Sequence, residues 1–76
     1  MIKNKLKQLL LATNSTQVDI AQRYGITKQT FANKLSRETF KISDLIKIAD
    51  ATGTELAFVR NNEVIVRFNK DDIKGD

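Results

Sequence analysis

Cysteine and histidine are both missing from the 76 residues. Their absence removes disulfides, thiolate nucleophiles, the usual zinc ligands and the imidazole base together. No metal and no cofactor is expected. The densest apolar run near the N-terminus, residues 9–12, is far short of the roughly 20 residues a membrane span needs and is no secretory signal core. A cytoplasmic chain without a membrane partner is the expectation. The carboxylates are scattered: Asp19 and Asp44 read as helix-start acids, and Asp71 and Asp72 lie near the C-terminus. No acid–base pair or activated nucleophile emerges, so an enzyme is not expected. There is no internal repeat or low-complexity segment, and no small-molecule pocket is evident in so short a chain. A chain of this length reads as a single domain, 1–76, which buries only about 60% of its unfolded surface and therefore needs an economical core.

The net charge is +4, but it is unevenly spread. Residues 1–41 hold eight bases (Lys3, Lys5, Lys7, Arg23, Lys28, Lys34, Arg37, Lys41) against two acids, giving +6. Residues 42–76 hold five bases against seven acids, giving −2. A basic half of this kind is either a solvated face or the footprint of a polyanion, and the positions of the charges decide between them.

Ile2, Leu6, Leu9 and Leu10 recur at offsets of four, seven and eight, which predicts an amphipathic helix over about 2–13 with Lys3 and Lys7 on the opposite side. Thr16 then stands three residues before Asp19, a capping-box-like pair that opens a short helix over 17–24. Ile20, Ala21 and Tyr24 form its apolar face, and Gly25 ends it because glycine takes a left-handed conformation at no steric cost. Thr27 can cap a third helix by accepting from the amide of Thr30, with Ile26 and Phe31 placed as a hydrophobic staple. That helix, over 28–36, turns Phe31 and Leu35 inward and leaves Lys28, Gln29, Thr30, Asn33 and Lys34 outside or at the margins. Ser43 is the expected cap of a fourth helix over 44–52, with Leu45, Ile48, Ala49 and Thr52 on its apolar face, Ile42 and Ile46 thickening it, and Gly53 as its stop.

From Glu55 the period changes. Residues 56–60 and 64–68 are β-branched and aromatic and flank Asn61-Asn62, two residues that tolerate positive φ, so a hairpin over about 55–68 is expected. A two-residue turn would pair Arg60 with Glu63, Val59 with Val64, Phe58 with Ile65 and Ala57 with Val66. One face would then carry Leu56, Phe58 and Ile65, and the other Ala57, Val59, Val64, Val66 and Phe68. Both are apolar, so one face or the strand edge is left for a partner. The segment 69–76 reads as a flexible tail. The fold class is therefore mainly α with a C-terminal β-hairpin.

The run from Gln17 to Thr27, followed by Lys28 to Leu35, resembles the phage Cro and repressor (XRE-type) helix-turn-helix family. Ile20-Ala21 stands where that family has a leucine-alanine pair, Gly25 at its turn glycine, Ile26-Thr27 at its apolar residue and cap, and Phe31 at its buried helix-three position. Ile48-Ala49 through Gly53 is similar to the end of its fourth helix, and the likeness covers about residues 2–53. Two departures stand out. Lys34 occupies a position where many members have a buried apolar residue, and Leu35 one where they have an acid. A hairpin replaces the fifth helix of many members, as in the Cro branch. The resemblance implies a four-helix, lambda-repressor-like domain that acts as a dimeric transcriptional regulator of phage or mobile-element type and reads a pseudo-palindromic operator.

Residues 28–36 span about 13 Å as a helix, comparable with a major groove about 12 Å wide. Gln29 and Asn33, four apart, can each offer a donor and an acceptor to adenine; Lys28 and Lys34 can donate to guanine; the Thr30 methyl can touch thymine. Lys28, Gln29, Thr30, Asn33 and Lys34 are thus the candidate base-contacting set. The resemblance puts Gln17 on a phosphate, and Arg23, Thr27, Arg37 and Lys41 are further phosphate candidates. Lys3, Lys5 and Lys7 are also phosphate candidates but read better as a solvated face. Ala57, Val59, Val64, Val66 and Phe68 are the candidate dimer interface. Tyr24, Phe31 and Leu35 are assigned to packing. The partners expected are double-stranded DNA and a second copy of the chain. The competing reading is a protein-interaction module, such as an antitoxin or adaptor, that keeps the fold without the DNA role.

Overall fold

A computed structural model describes residues 1–75 and shows a mainly α chain with a C-terminal hairpin. In order come α1 (Ile2–Ala12), α2 (Gln17–Tyr24), α3 (Lys28–Arg37), α4 (Ile42–Ala51), β1 (Leu56–Arg60), β2 (Glu63–Phe68) and a 3-10 helix, Lys70–Gly75. The chain divides into two compact units, residues 1–40 and the part from Lys41 onward. No described helix is long and apolar enough to cross a membrane.

All four α-helices stop in the same way. After each, one residue takes positive φ: Asn14 (53°), Gly25 (74°), Glu38 (53°) and Gly53 (70°). The amide of that residue and the amide after it both turn back onto the last carbonyls, the second of them as Ser15 N–H to Leu10 (2.8 Å), Ile26 N–H to Ala21 (3.0 Å), Thr39 N–H to Lys34 (3.2 Å) and Thr54 N–H to Ala49 (2.9 Å). This double reversal satisfies carbonyls that a helix end otherwise leaves without partners. Thr13 and Thr52 add their hydroxyls, donating to Leu9 O (2.8 Å) and Ile48 O (2.9 Å).

In the first unit Leu10, Ile20, Ala21, Phe31 and Leu35 are buried. On α1 Leu6, Leu9 and Leu10 turn inward as expected, but Ile2 does not, and Lys3, expected on the opposite side, is half-buried. Ile2 and Leu11 are exposed, Leu6 and Leu9 are half-buried and Leu10 is buried. At the helix start the Lys3 amide donates to Glu38 Oε1, just past the end of α3, at 3.3 Å.

In the second unit Ile46, Ile48 and Ala49 are buried on α4. Helix four begins two residues earlier than expected, and its cap is Lys41 rather than Ser43. Asp44 Oδ2 reaches back to accept the Lys41 amide at 2.9 Å. A lysine side chain has no acceptor, so the cap is one-sided, and that carboxylate decides the start. Ile42 consequently falls in the exposed first turn, 55% accessible, instead of thickening the apolar face.

The hairpin turns at Asn61 and Asn62, both at positive φ (53° and 66°), the conformation a two-residue turn matched to strand twist demands. Arg60 pairs with Glu63 and Val59 with Val64 as expected, but a bulge then shifts the register, so that Phe58 pairs with Val66, Ala57 with Arg67 and Leu56 with Phe68. Ile65 is the extra residue. The shift corrects the expected pairs Phe58–Ile65 and Ala57–Val66, and with them the expected faces. Residues paired across the strands share a face, so Leu56, Phe58, Val66 and Phe68 lie together, with the Phe58 and Phe68 rings 5.7 Å apart. Ala57, Val59 and Val64 lie on the other.

Within the segment expected as a flexible tail, Lys70–Gly75 form a 3-10 helix. Asp72 Oδ2 accepts from the Asn69 amide (2.8 Å), Asn69 Oδ1 accepts from the Asp71 amide (2.9 Å), and Lys70 pairs with Asp50 of α4 at 3.4 Å. Asp76, the last residue of that tail, lies outside the described residues.

Candidate nucleic-acid interface

Residues 16–37 build a rigid pair of helices from local interactions. Thr16 Oγ1 accepts from the Asp19 amide and Asp19 Oδ2 from the Thr16 amide, both at 3.1 Å, which closes a reciprocal capping box at the start of α2. Gly25 reverses the chain in the left-handed conformation. Two residues later Thr27 Oγ1 accepts from the Thr30 amide at 3.0 Å and fixes the start of α3. Ile20 and Ala21 of α2 and Phe31 and Leu35 of α3 are all but inaccessible. The Phe31 ring lies 6.1 Å from Tyr24 and 6.0 Å from Phe40, at tilted angles favourable for aromatic pairs.

With Phe31 and Leu35 turned inward, Lys28, Gln29, Thr30 and Asn33 are exposed on α3. Gln29 Nε2 donates to Asn33 Oδ1 at 3.2 Å, so two neighbouring amides are aligned on one face. The bond leaves the Gln29 carbonyl oxygen and the Asn33 amino group free of each other, an acceptor and a donor side by side. Lys34 is half-buried at the margin rather than fully outward, and Leu35 fills the core position.

The phosphate candidates are less uniform. Arg23 and Arg37 are exposed in the last turns of α2 and α3. Thr27 is exposed, but its hydroxyl oxygen already caps α3 and lies 2.9 Å from the Thr30 hydroxyl. Gln17 is half-buried beside a cavity that Lys3, Lys7, Ala32, Leu35 and Ser36 also line. Lys41 is exposed and opens the second unit. Ser36, exposed on α3, falls with Gln29 and Asn33 at i, i+4 and i+7 on one helical row. Of the five interface candidates, Val59, Val64 and Val66 are exposed and Ala57 and Phe68 half-buried, and the bulge divides them between two faces.

A capped helix, a left-handed glycine turn and a second capped helix with a polar, basic outer face define a helix-turn-helix DNA-binding domain. A protein-family model described as the bacteriophage CI repressor helix-turn-helix domain matches residues 5–61, well over half of the chain. The chain belongs to that family, one of DNA-binding regulators of transcription rather than of enzymes. Comparison with curated proteins and with solved structures gives no match.

Proposed function

We propose that the chain binds double-stranded DNA sequence-specifically, with α3 in the major groove and two copies on a pseudo-palindromic operator. The observation that carries this reading is the aligned Gln29–Asn33 pair on the exposed side of a helix held at its start by Thr27. An adenine presents N7 as acceptor and N6 as donor in the major groove. The Asn33 amino group and the Gln29 carbonyl oxygen offer the complementary donor and acceptor. Lys28 stands at the first turn to donate to guanine or phosphate, the Thr30 methyl is placed for thymine, and Lys34 reaches from the margin. Gln17, Arg23, Thr27, Arg37 and Lys41 are assigned to the backbone, which fixes register without reading sequence.

Dimerisation through the hairpin is supported by five large apolar residues that stand exposed on it: Phe58, Val59, Val64, Ile65 and Val66. A small DNA-binding domain gains affinity and selectivity by pairing, with reading helices about 34 Å apart. Selection of bound duplexes from a random pool tests the function. Enrichment of a two-fold symmetric site, lost in Gln29→Ala and Asn33→Ala, is expected. Uniform weak binding to every sequence would overturn it in favour of a protein-interaction module.

A further inference from the structure

The N-terminal lysines fall into two groups once α1 is placed. Lys3 and Lys7, one helical turn apart, line a cavity of about 200 Å³ together with Gln17 at the start of α2 and Ala32, Leu35 and Ser36 of α3; Lys5 does not. Every polar side chain in that lining can donate a hydrogen bond: two ammonium groups, one carboxamide and one hydroxyl. No acid is among them. Glu38, whose carboxylate accepts from the Lys3 backbone amide at 3.3 Å, does not line the cavity. Like charges at i and i+4 disfavour a free helix, and an anion between them removes that repulsion. The volume equals that of several waters at about 30 Å³ each, so a phosphate group fits with solvent to spare. Ala32 precedes Asn33 and Ser36 lies three residues, about one helical turn, beyond it, which sets the cavity beside the Gln29–Asn33 row of α3.

We propose that Lys3, Lys7, Gln17 and Ser36 form a cradle for one phosphate of the DNA backbone bordering the groove that α3 enters. The inference rests on α3 facing DNA, and it adds to that reading a contact that anchors α1. Phosphate contacts of this kind carry affinity and salt dependence but no sequence information.

Fluorescence anisotropy of the full chain on a selected duplex, over a series of salt concentrations, tests it. Lys3→Gln/Lys7→Gln is expected to weaken binding to all sequences alike and to lower the slope of log K against log salt by about 0.9 for the phosphate lost. Selectivity for the preferred site stays as in the parent chain. Lys3→Arg/Lys7→Arg keeps the parent slope, and Lys5→Gln, which removes a charge outside the cavity, changes it less than the double variant does. Far-UV circular dichroism establishes that each variant is folded. A double-glutamine slope equal to that of Lys5→Gln, with selective binding intact, overturns the cradle alone. Absence of any duplex binding by the parent chain overturns the α3 reading and the cradle with it.

Discussion

Glu38 carries two opposing contributions that substitution can separate. Its φ of 53° places a side-chain-bearing residue in the left-handed region, which costs roughly 1–2 kcal/mol relative to glycine. Its carboxylate meanwhile accepts the Lys3 amide at 3.3 Å, at the start of a helix whose own N-cap, Met1, makes no side-chain bond. A negative charge there is worth about 0.3–1 kcal/mol through the helix dipole, and at this length the hydrogen bond adds little beyond it. Glu38→Ala loses the bond and keeps the strain, and should destabilise by about 1 kcal/mol. Glu38→Gly loses the same bond but releases the strain, less the ~0.4–1 kcal/mol that glycine returns to the unfolded chain. It should therefore stand close to the parent and about 0.5–1 kcal/mol above the alanine variant. Glu38→Gln keeps an acceptor without the charge and should fall between parent and alanine. Urea unfolding followed at the helical circular-dichroism band, with m unchanged, measures the order; in a chain of this size 1 kcal/mol also moves Tm by about 4–8 °C. An alanine variant as stable as the glycine one would refute the left-handed strain at this position. A glutamine variant weaker than alanine would refute the cap.

Two further predictions concern the turn and the hairpin. Gly25→Ala should destabilise by about 1–2 kcal/mol although nothing lies within 4 Å of the added carbon, because the penalty comes from φ and not from space; Gly25→Asn should cost less, as read by thermal unfolding. For the hairpin, Phe58→Asp and Val59→Asp probe opposite faces of the bulged sheet, and sedimentation of the two should find a dimer lost in one and kept in the other; unchanged assembly in both would remove the hairpin from the interface.

The features that proved legible are those fixed by one or two neighbouring residues. Thr16 with Asp19 and Thr27 with Thr30 each pair a side chain with an amide three positions away, and the left-handed stops at Gly25 and Gly53 follow from the freedom of one residue. The Asn61-Asn62 turn belongs with them. What escaped depends on competition among similar residues. Val64, Ile65 and Val66 offer nearly the same shape to the opposite strand, so composition does not say which one bulges. Ser43 has the better capping side chain, yet the Asp44 carboxylate satisfies the Lys41 amide and moves the helix start. On α1 the periodicity of Leu6, Leu9 and Leu10 held, but the burial of Lys3 and the contact of its amide with Glu38, 35 residues away, lie beyond local pattern. For the candidate site, the outward row of α3 follows from the inward placement of Phe31 and Leu35. The cavity at Lys3 and Lys7 joins residues of three helices and is invisible to the periodicity of any one of them.

The bond between Gln29 and Asn33 has a consequence for discrimination. Two side chains that bond each other before any ligand arrives have less ordering left to do on association, a saving bounded by the roughly 0.5–1.5 kcal/mol that immobilising a side chain costs. The same tie acts as a filter. A base edge that accepts the pair as it stands meets a ready surface, whereas one that demands both amino protons of Gln29 must first break the bond to Asn33. For a helix that reads bases, mismatched sequences are then penalised twice, once for the contact they fail to make and once for the contact they force apart.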